Sequence, residues 1–334
     1  MYILEMRTVN SISQGILIIG LIAFSTLSLS GQEWMSLEVA GEPVARNDNG
    51  LMSCKGKFYL LGGHGQQAVN IFDPSEGTWS RGAVPPIELH HFQAVRIMDE
   101  IWIVGAFTGE YPNEKPLDYI YIYDTAGDEW RRGARIPADR LRGSAGVAVY
   151  RENIYVVGGT TDLHNTDQTS WVDRYDPKTG KWKKLADAPR NRGHFHAGIC
   201  NGKIYAVGGS NPSRKSIGTA GWPIAEVDVY DIKSGRWTTL PAGQNLPTPR
   251  IECATVSFLD HILVIGGENF DQEGAFRLVE AYDIEAGVWE QWDSLENGRC
   301  GTQAFMCVGA VFITAGSRDR SGNLASTTLE MLFY

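Results

Sequence analysis

From residue 31 onward the hydrophobic positions fall in short runs broken by polar turns, and none of these runs has helical spacing. One unit reads as an opening strand, a polar turn such as Asn201-Gly202-Lys203, and a second strand ending in paired glycines. Those second strands are Tyr59 to Gly63, Tyr155 to Gly159, Tyr205 to Gly209 and Leu263 to Gly267. Two units carry Gly105-Ala106 and Ala315-Gly316 in place of the pair. A loop of variable length follows, then a third strand ending in an aromatic-Asp pair and a fourth opening with Trp. The pair and the Trp recur as Phe72 to Trp79, Tyr123 to Trp130, Tyr175 to Trp182, Tyr230 to Trp237 and Tyr282 to Trp289, with a period of 51 to 55 residues. A period of that size without helices predicts an all-β propeller, in which no blade can bury its faces alone.

A sixth unit, Arg299 to Tyr334, ends after its third strand and has no Trp. Its missing strand is predicted at the other end of the chain. Glu33-Trp34-Met35-Ser36-Leu37, followed by Pro43-Val44-Ala45-Arg46, matches the fourth-strand pattern of Trp237 to Leu240 followed by Pro249-Arg250. The N-terminal strand is thus expected to complete blade six and to remove open sheet edges. The Gly doublet, the Tyr and the spaced Trp together resemble the Kelch repeat, over essentially all of residues 31–334. The resemblance implies a six-bladed Kelch propeller, with each repeat Trp expected in the core against the next blade.

Composition narrows the function classes. A net charge of -9 argues against a nucleic-acid partner, which needs a concentrated basic surface. Residues Ile12 to Leu29 are apolar, follow Arg7 and end in Ser28-Leu29-Ser30-Gly31, a small-x-small context. Residues 1–30 therefore read as a signal peptide, with Met6 an alternative start and an uncleaved anchor the other reading of the segment. A periplasmic or secreted protein with no membrane span in its mature form is expected. Cys54, Cys200 and Cys307 occupy one repeat position, too far apart to bridge, and read as small buried residues. Cys253 and Cys300 are the one pair placed for a disulfide.

Counting back from each glycine pair or its equivalent aligns the blades where the innermost strand begins, near the mouth of the central channel. Sixteen residues back stand Arg46, Leu89, Arg142, Arg192, Arg250 and Arg299. Fourteen back stand Asp48, His91, Ser144, His194, Glu252 and Gly301; twelve back stand Gly50, Gln93, Gly146, His196, Ala254 and Gln303. Five arginines in one ring, with Arg140 and Arg190 nearby, predict a cationic clamp for a carboxylate or sulfate. The alternative is that each bonds the neighbouring blade's carbonyls or acids. Asp48 and Glu252 are the expected counter-charges. Glu252, beside the arginines, is also the candidate acid or base, with His194 as its partner. His91, His194 and His196 read either as pocket-wall hydrogen-bonding groups or as a three-histidine metal site. Trp222, between Gly221 and Pro223, is the expected aromatic platform for a sugar; Trp171 and Tyr111 share the variable loops.

No Gly-x-Ser-x-Gly elbow, His-Glu-x-x-His pair or phosphate-cradling Gly loop is present, and no cofactor is implied. The copper-ligand pattern of galactose oxidase, a seven-bladed Kelch enzyme, is also missing. In architecture the chain is similar to the bacterial sialic-acid mutarotases, exported six-bladed Kelch propellers. The Glu that precedes an Arg by six residues in their loop is not matched: Arg214 has no such acid, and Glu268 and Glu273 precede Arg277 by nine and four. The expected function is binding of an anionic carbohydrate in the Arg-rich pocket, with acid-base chemistry of the epimerase, mutarotase or lyase type. The competing expectation is a non-catalytic scaffold that binds a protein partner through the same loops.

Overall fold

The first residue of each glycine pair has to turn the backbone where the next blade packs against it. In the computed structural model, which describes residues 33–163, 167–211, 222–320 and 322–333, Gly62, Gly105, Gly158, Gly208, Gly266 and Ala315 all have φ between 59° and 70°. A Cβ on Gly158 would stand 2.3 Å from the carbonyl oxygen of Arg192, and one on Gly266 2.3 Å from that of Arg299. Glycine meets both demands, the left-handed conformation and the close approach.

From these turns follow six four-stranded antiparallel sheets, three built from consecutive strands and two with a two-stranded ribbon inserted between their second and third strands. The innermost strands are Asn49–Cys54, Ala94–Ile97, Gly146–Tyr150, Ala197–Cys200, Ala254–Phe258 and Ala304–Cys307. Each touches the innermost strand of the blade on either side, so the ring closes with six blades. The last sheet runs from Ala304–Cys307 through Ala310–Ile313 and Glu330–Phe333 to Glu33–Ser36, with Trp34 opposite Leu332. The N-terminal strand thus closes the last blade as expected.

Apolar side chains fill the spaces between neighbouring blades. Tyr59 and Leu61 of the first blade pack with Ile101, Ile103, Tyr121 and Tyr123 of the second, and each fully buried aliphatic contributes about 1.5–3 kcal/mol. The repeat tryptophans depart from expectation in two respects. Trp79, Trp130, Trp182, Trp237 and Trp289 are half-buried rather than core. Each lies on the aromatic residue of its own third strand, with centroids 4.9–5.3 Å apart. Four of them donate the indole N–H to the preceding blade, not the next, reaching the carbonyls of Ala83, Arg135, Ala186 and Gln244. The reason is geometric, since the Trp opens the outermost strand just beside the segment leaving the previous blade.

All five cysteines are free, so Cys253 and Cys300 form no bridge; Cys54 is buried, while Cys200 and Cys307 are half-buried. Residues 1–32 carry the predicted signal peptide and lie outside the described residues. Among the described residues no helix is long and apolar enough to cross a membrane. Midway through the channel two glutamines tie inner strands together. Gln93 accepts from the N–H groups of Val147 and Ala197, and Gln303 accepts from Ala94 while donating to its carbonyl.

Candidate ligand-binding cavity

The positions fourteen residues before the glycine pairs share one backbone conformation. Asp48, His91, Ser144, His194, Glu252 and Gly301 all have φ between 49° and 64°, a left-handed value that only glycine adopts freely. The strain is offset by a hydrogen-bonded ring. Each N–H donates to the carbonyl of the counterpart one blade earlier: Asp48 to Gly301, His91 to Asp48, Ser144 to His91, His194 to Ser144, Glu252 to His194 and Gly301 to Glu252, at 2.5–3.0 Å. This closed collar of six bonds brings Asp48, His91, His194 and Glu252 to one cavity of about 450 Å³, which Ile251, Cys300 and Gly301 also line. Loop residues His64, Tyr111, Glu114, Glu268 and Arg320 complete the wall.

The arginines take no part in this lining. Arg46, Arg142, Arg192, Arg250 and Arg299 are 0–2 % exposed and lie inside their own blades. Each donates to the carbonyl sixteen residues on, that of Gly62, Gly158, Gly208, Gly266 or Ala315. Each also meets a polar side chain of its own third strand: Asn70, Asp173, Asp228, Glu280 or Glu330. Arg140 shares Asp173, and Arg190 pairs with Glu226 and Asp228. The expected cationic clamp is therefore corrected to a set of intra-blade staples, because each buried guanidinium is held by carbonyls and by a carboxylate, or for Arg46 the Asn70 amide oxygen, of its own blade. The alternative reading had the arginines bonding carbonyls and acids, but of the neighbouring blade; the partners lie in each arginine's own blade.

The electrostatics of the cavity are accordingly acidic and imidazole-rich, with Arg320 the one arginine or lysine among the described lining residues. His194 Nδ1 and Glu252 Oε1 are 2.5 Å apart. Burial works against a charge on His194, yet the Glu252 carboxylate outweighs it and raises the imidazole above its ordinary value. Across the collar, Asp48 lies 3.1 Å from His64 and 3.6 Å from His91. Burial raises the Asp48 carboxyl, but the imidazoles of His91, His64 and His90 pull it down to about 2. Burial holds His91 neutral, with its pKa lowered to about 3. Glu268 behaves in the opposite way to Asp48. Burial and the nearby Glu252 charge push it up to about 7, although the Cys300 thiol donates to it across 3.4 Å.

His196 is not in this cavity. It lines the narrow neck beneath the collar with Phe92 and Phe195, and burial lowers it to about 4. The expected three-histidine set is thereby corrected, since position twelve points below the collar while position fourteen points into the cavity. Trp222 lies elsewhere too, half-buried in a second cavity of about 320 Å³ with Arg190, Asn211, Glu226 and Pro249. Trp171 packs under the guanidinium of Arg140, 4.9 Å away, while Tyr111 is 79 % exposed at the rim of the central cavity. His64 and Glu268 were missed as site residues. Both directly follow a glycine pair, and reading that position in register would have found them.

A model of the Attractin/LZTR1 beta-propeller family matches residues 21–270. The Kelch-like protein terF of Aspergillus terreus is 26% identical over 87% of this chain and 63% of its own length. Kelch-like protein 23 of Mus musculus is 24% identical over 78% of this chain and 43% of its own, and beta-scruin of Limulus polyphemus 28% identical over 78% and 29%. The chain thus spans from about a third to under two thirds of these relatives. The solved structure of YjhT superposes with a TM-score of 0.72 at 13% identity, over 88% of this chain and 96% of that one, a likeness of fold.

Proposed function

The chain belongs to the Attractin/LZTR1 beta-propeller family, and on that premise we propose that its central cavity binds a small hydroxyl-rich ligand, a carbohydrate or polyol, and moves protons on it. The collar carries this reading, because it gathers two imidazoles and two carboxylates from four blades into one concave space. Carboxylates and imidazoles of this kind accept and donate hydrogen bonds to sugar hydroxyls. Among the described lining residues an acidic sugar would find one arginine, Arg320, in place of the expected five. Export through the apolar N-terminal segment belongs to the same proposal.

Two groups suit proton transfer. Glu268, titrating near 7, can hold or take a proton at neutral pH, and the Glu252–His194 pair shares one at the floor. In sugar ring opening, the Glu268 carboxylate takes the anomeric hydroxyl proton as the bond from the anomeric carbon to the ring oxygen breaks, and water returns a proton to that oxygen. The test is anomer exchange measured by magnetisation transfer across a sugar panel. Exchange is expected to rise through about pH 7, as Glu268 ionises, and Glu268→Gln should lower it at least 100-fold. Exchange no faster than in buffer for every sugar would sink the catalytic part and leave binding.

A second reading, a protein-binding scaffold, is favoured by the Kelch-like relatives and by Tyr111, which exposes a large ring on the cavity rim. In that reading the loops rather than the cavity floor hold the partner.

A further inference from the structure

We propose that the floor of the cavity is a binding site for a divalent first-row transition cation, held by His91, His194 and Glu252 with Asp48 beside it. The hydrogen bonds around His90 and His91 dictate where their protons sit. His90 is fully buried, and its Nε2 lies 3.2 Å from the carbonyl oxygen of Gly109. A carbonyl only accepts, so the His90 proton sits on Nε2 and its Nδ1 bears a lone pair. That Nδ1 is 2.7 Å from Nδ1 of His91, which must therefore be the donor.

His91 has one proton to place as a neutral ring, and it has just been placed on Nδ1. Its Nε2 is left bare, 3.6 Å from Oδ1 of Asp48. Two lone-pair-bearing atoms then face each other with no proton between them, too far apart for a hydrogen bond. A separation of this size suits two ligands of a single cation, each about 2.1 Å from it. The chain from the Gly109 carbonyl through His90 to His91 is also the outer-shell arrangement that orients a metal-binding imidazole and sets its tautomer.

Across the collar the remaining donors are in place. One ligand atom each from His91, His194 and Glu252 lie within 4.8 Å of one another, and the His91 and His194 rings meet edge to face with centroids 5.9 Å apart. Ser144 and Gly301, the two small members of the collar, separate the His91–Asp48 pair from the His194–Glu252 pair on either side. The backbone ring fixes all four donors before any ion arrives. Two imidazoles with carboxylate select a first-row transition cation over calcium or magnesium, which take oxygen donors. Binding would displace the proton shared by His194 and Glu252 and leave Glu268 as the group free to move protons. Positions open toward the cavity would hold hydroxyls of the ligand; that use alone rests on the carbohydrate reading.

The cation site can be tested without any sugar. The full chain is stripped with a chelator and titrated with Co²⁺, following visible absorption for coordination and calorimetry for stoichiometry. One equivalent should bind, with bands of a four- or five-coordinate site, and His91→Ala and the isosteric Glu252→Gln should each weaken it at least 100-fold. His64→Ala, which removes a second histidine group formed with His90 and His91 and also the 3.1 Å partner of Asp48, should weaken binding by no more than about tenfold, well short of the loss in His91→Ala. Near-ultraviolet circular dichroism establishes that each variant is folded; should His91→Ala fail that check, Glu252→Gln decides alone. Absence of stoichiometric binding, or binding that survives Glu252→Gln, overturns the proposal, as does loss of binding in His64→Ala alone. Stoichiometric Co²⁺ binding with no sugar bound by either the stripped or the loaded protein upholds the cation site and sinks the carbohydrate reading.

Discussion

A buried arginine keeps its charge only where neighbours replace the water it has lost, and here the replacement is built five times over. Arg250 lies with its guanidinium against the Gly266 and Val264 carbonyls and the Glu280 carboxylate. Removing one partner of such a pair strands the other, so Arg250→Ala should cost about 3–5 kcal/mol in urea unfolding. Replacing both partners by apolar residues of similar volume, Arg250→Met with Glu280→Leu, should restore most of that loss. A cost below about 1 kcal/mol would contradict the staple. The arginine register was legible in the sequence because it sits at a constant distance from the glycine pair. Its partners were not, since they follow the arginine by 24, 31, 36, 30 and 31 residues across a loop whose length varies. The same variability hid the pairing that turns a cationic ring into five separate internal bonds.

At the scale of the strand and its turn, period carried more information than side-chain identity. The paired glycines, the turn after the first strand and the tryptophan were each readable, because each answers a backbone or packing demand that recurs in every blade. Closure by residues Glu33–Ser36 was readable for the same reason: the last unit lacked a strand that the first segment supplied. The direction of the indole hydrogen bond was not, since sequence order does not say on which side of the outermost strand the neighbouring blade lies. Gly158 tests the turn directly. Its left-handed φ of 60° and the Arg192 carbonyl leave no room for a side chain, so Gly158→Ala should lose at least about 1–2 kcal/mol from conformation alone. Chemical denaturation measures it, and an unchanged midpoint would show that the close approach is not enforced. Five of the six collar positions, by contrast, are left-handed without being glycine; Asp48 and His91 are types that tolerate that conformation, but nothing in Glu252 as a residue type announces it.

For the whole molecule, the ring of blades acts as a frame that brings to one place residues some 250 positions apart in the chain, Asp48 and Gly301 among them. The site was partly legible: Asp48, His91, His194 and Glu252 share a position in the repeat, and that position does face the cavity. The sign of its charge was not, because the arginines two residues earlier turn into the blades while the carboxylates and imidazoles turn inward. The expected ligand therefore shifts from an anion held by arginines to hydroxyls held by carboxylates and imidazoles. Thermal melting of the full chain against neutral, amino and acidic sugars tests this most directly. Ligand at about 100 times its dissociation constant should stabilise by roughly 2.7 kcal/mol. A shift is expected with a neutral sugar, lost in Glu252→Gln and Glu268→Gln and retained in Trp222→Ala. No shift with any sugar, or one lost only in Trp222→Ala, would contradict it and move the site away from the central cavity.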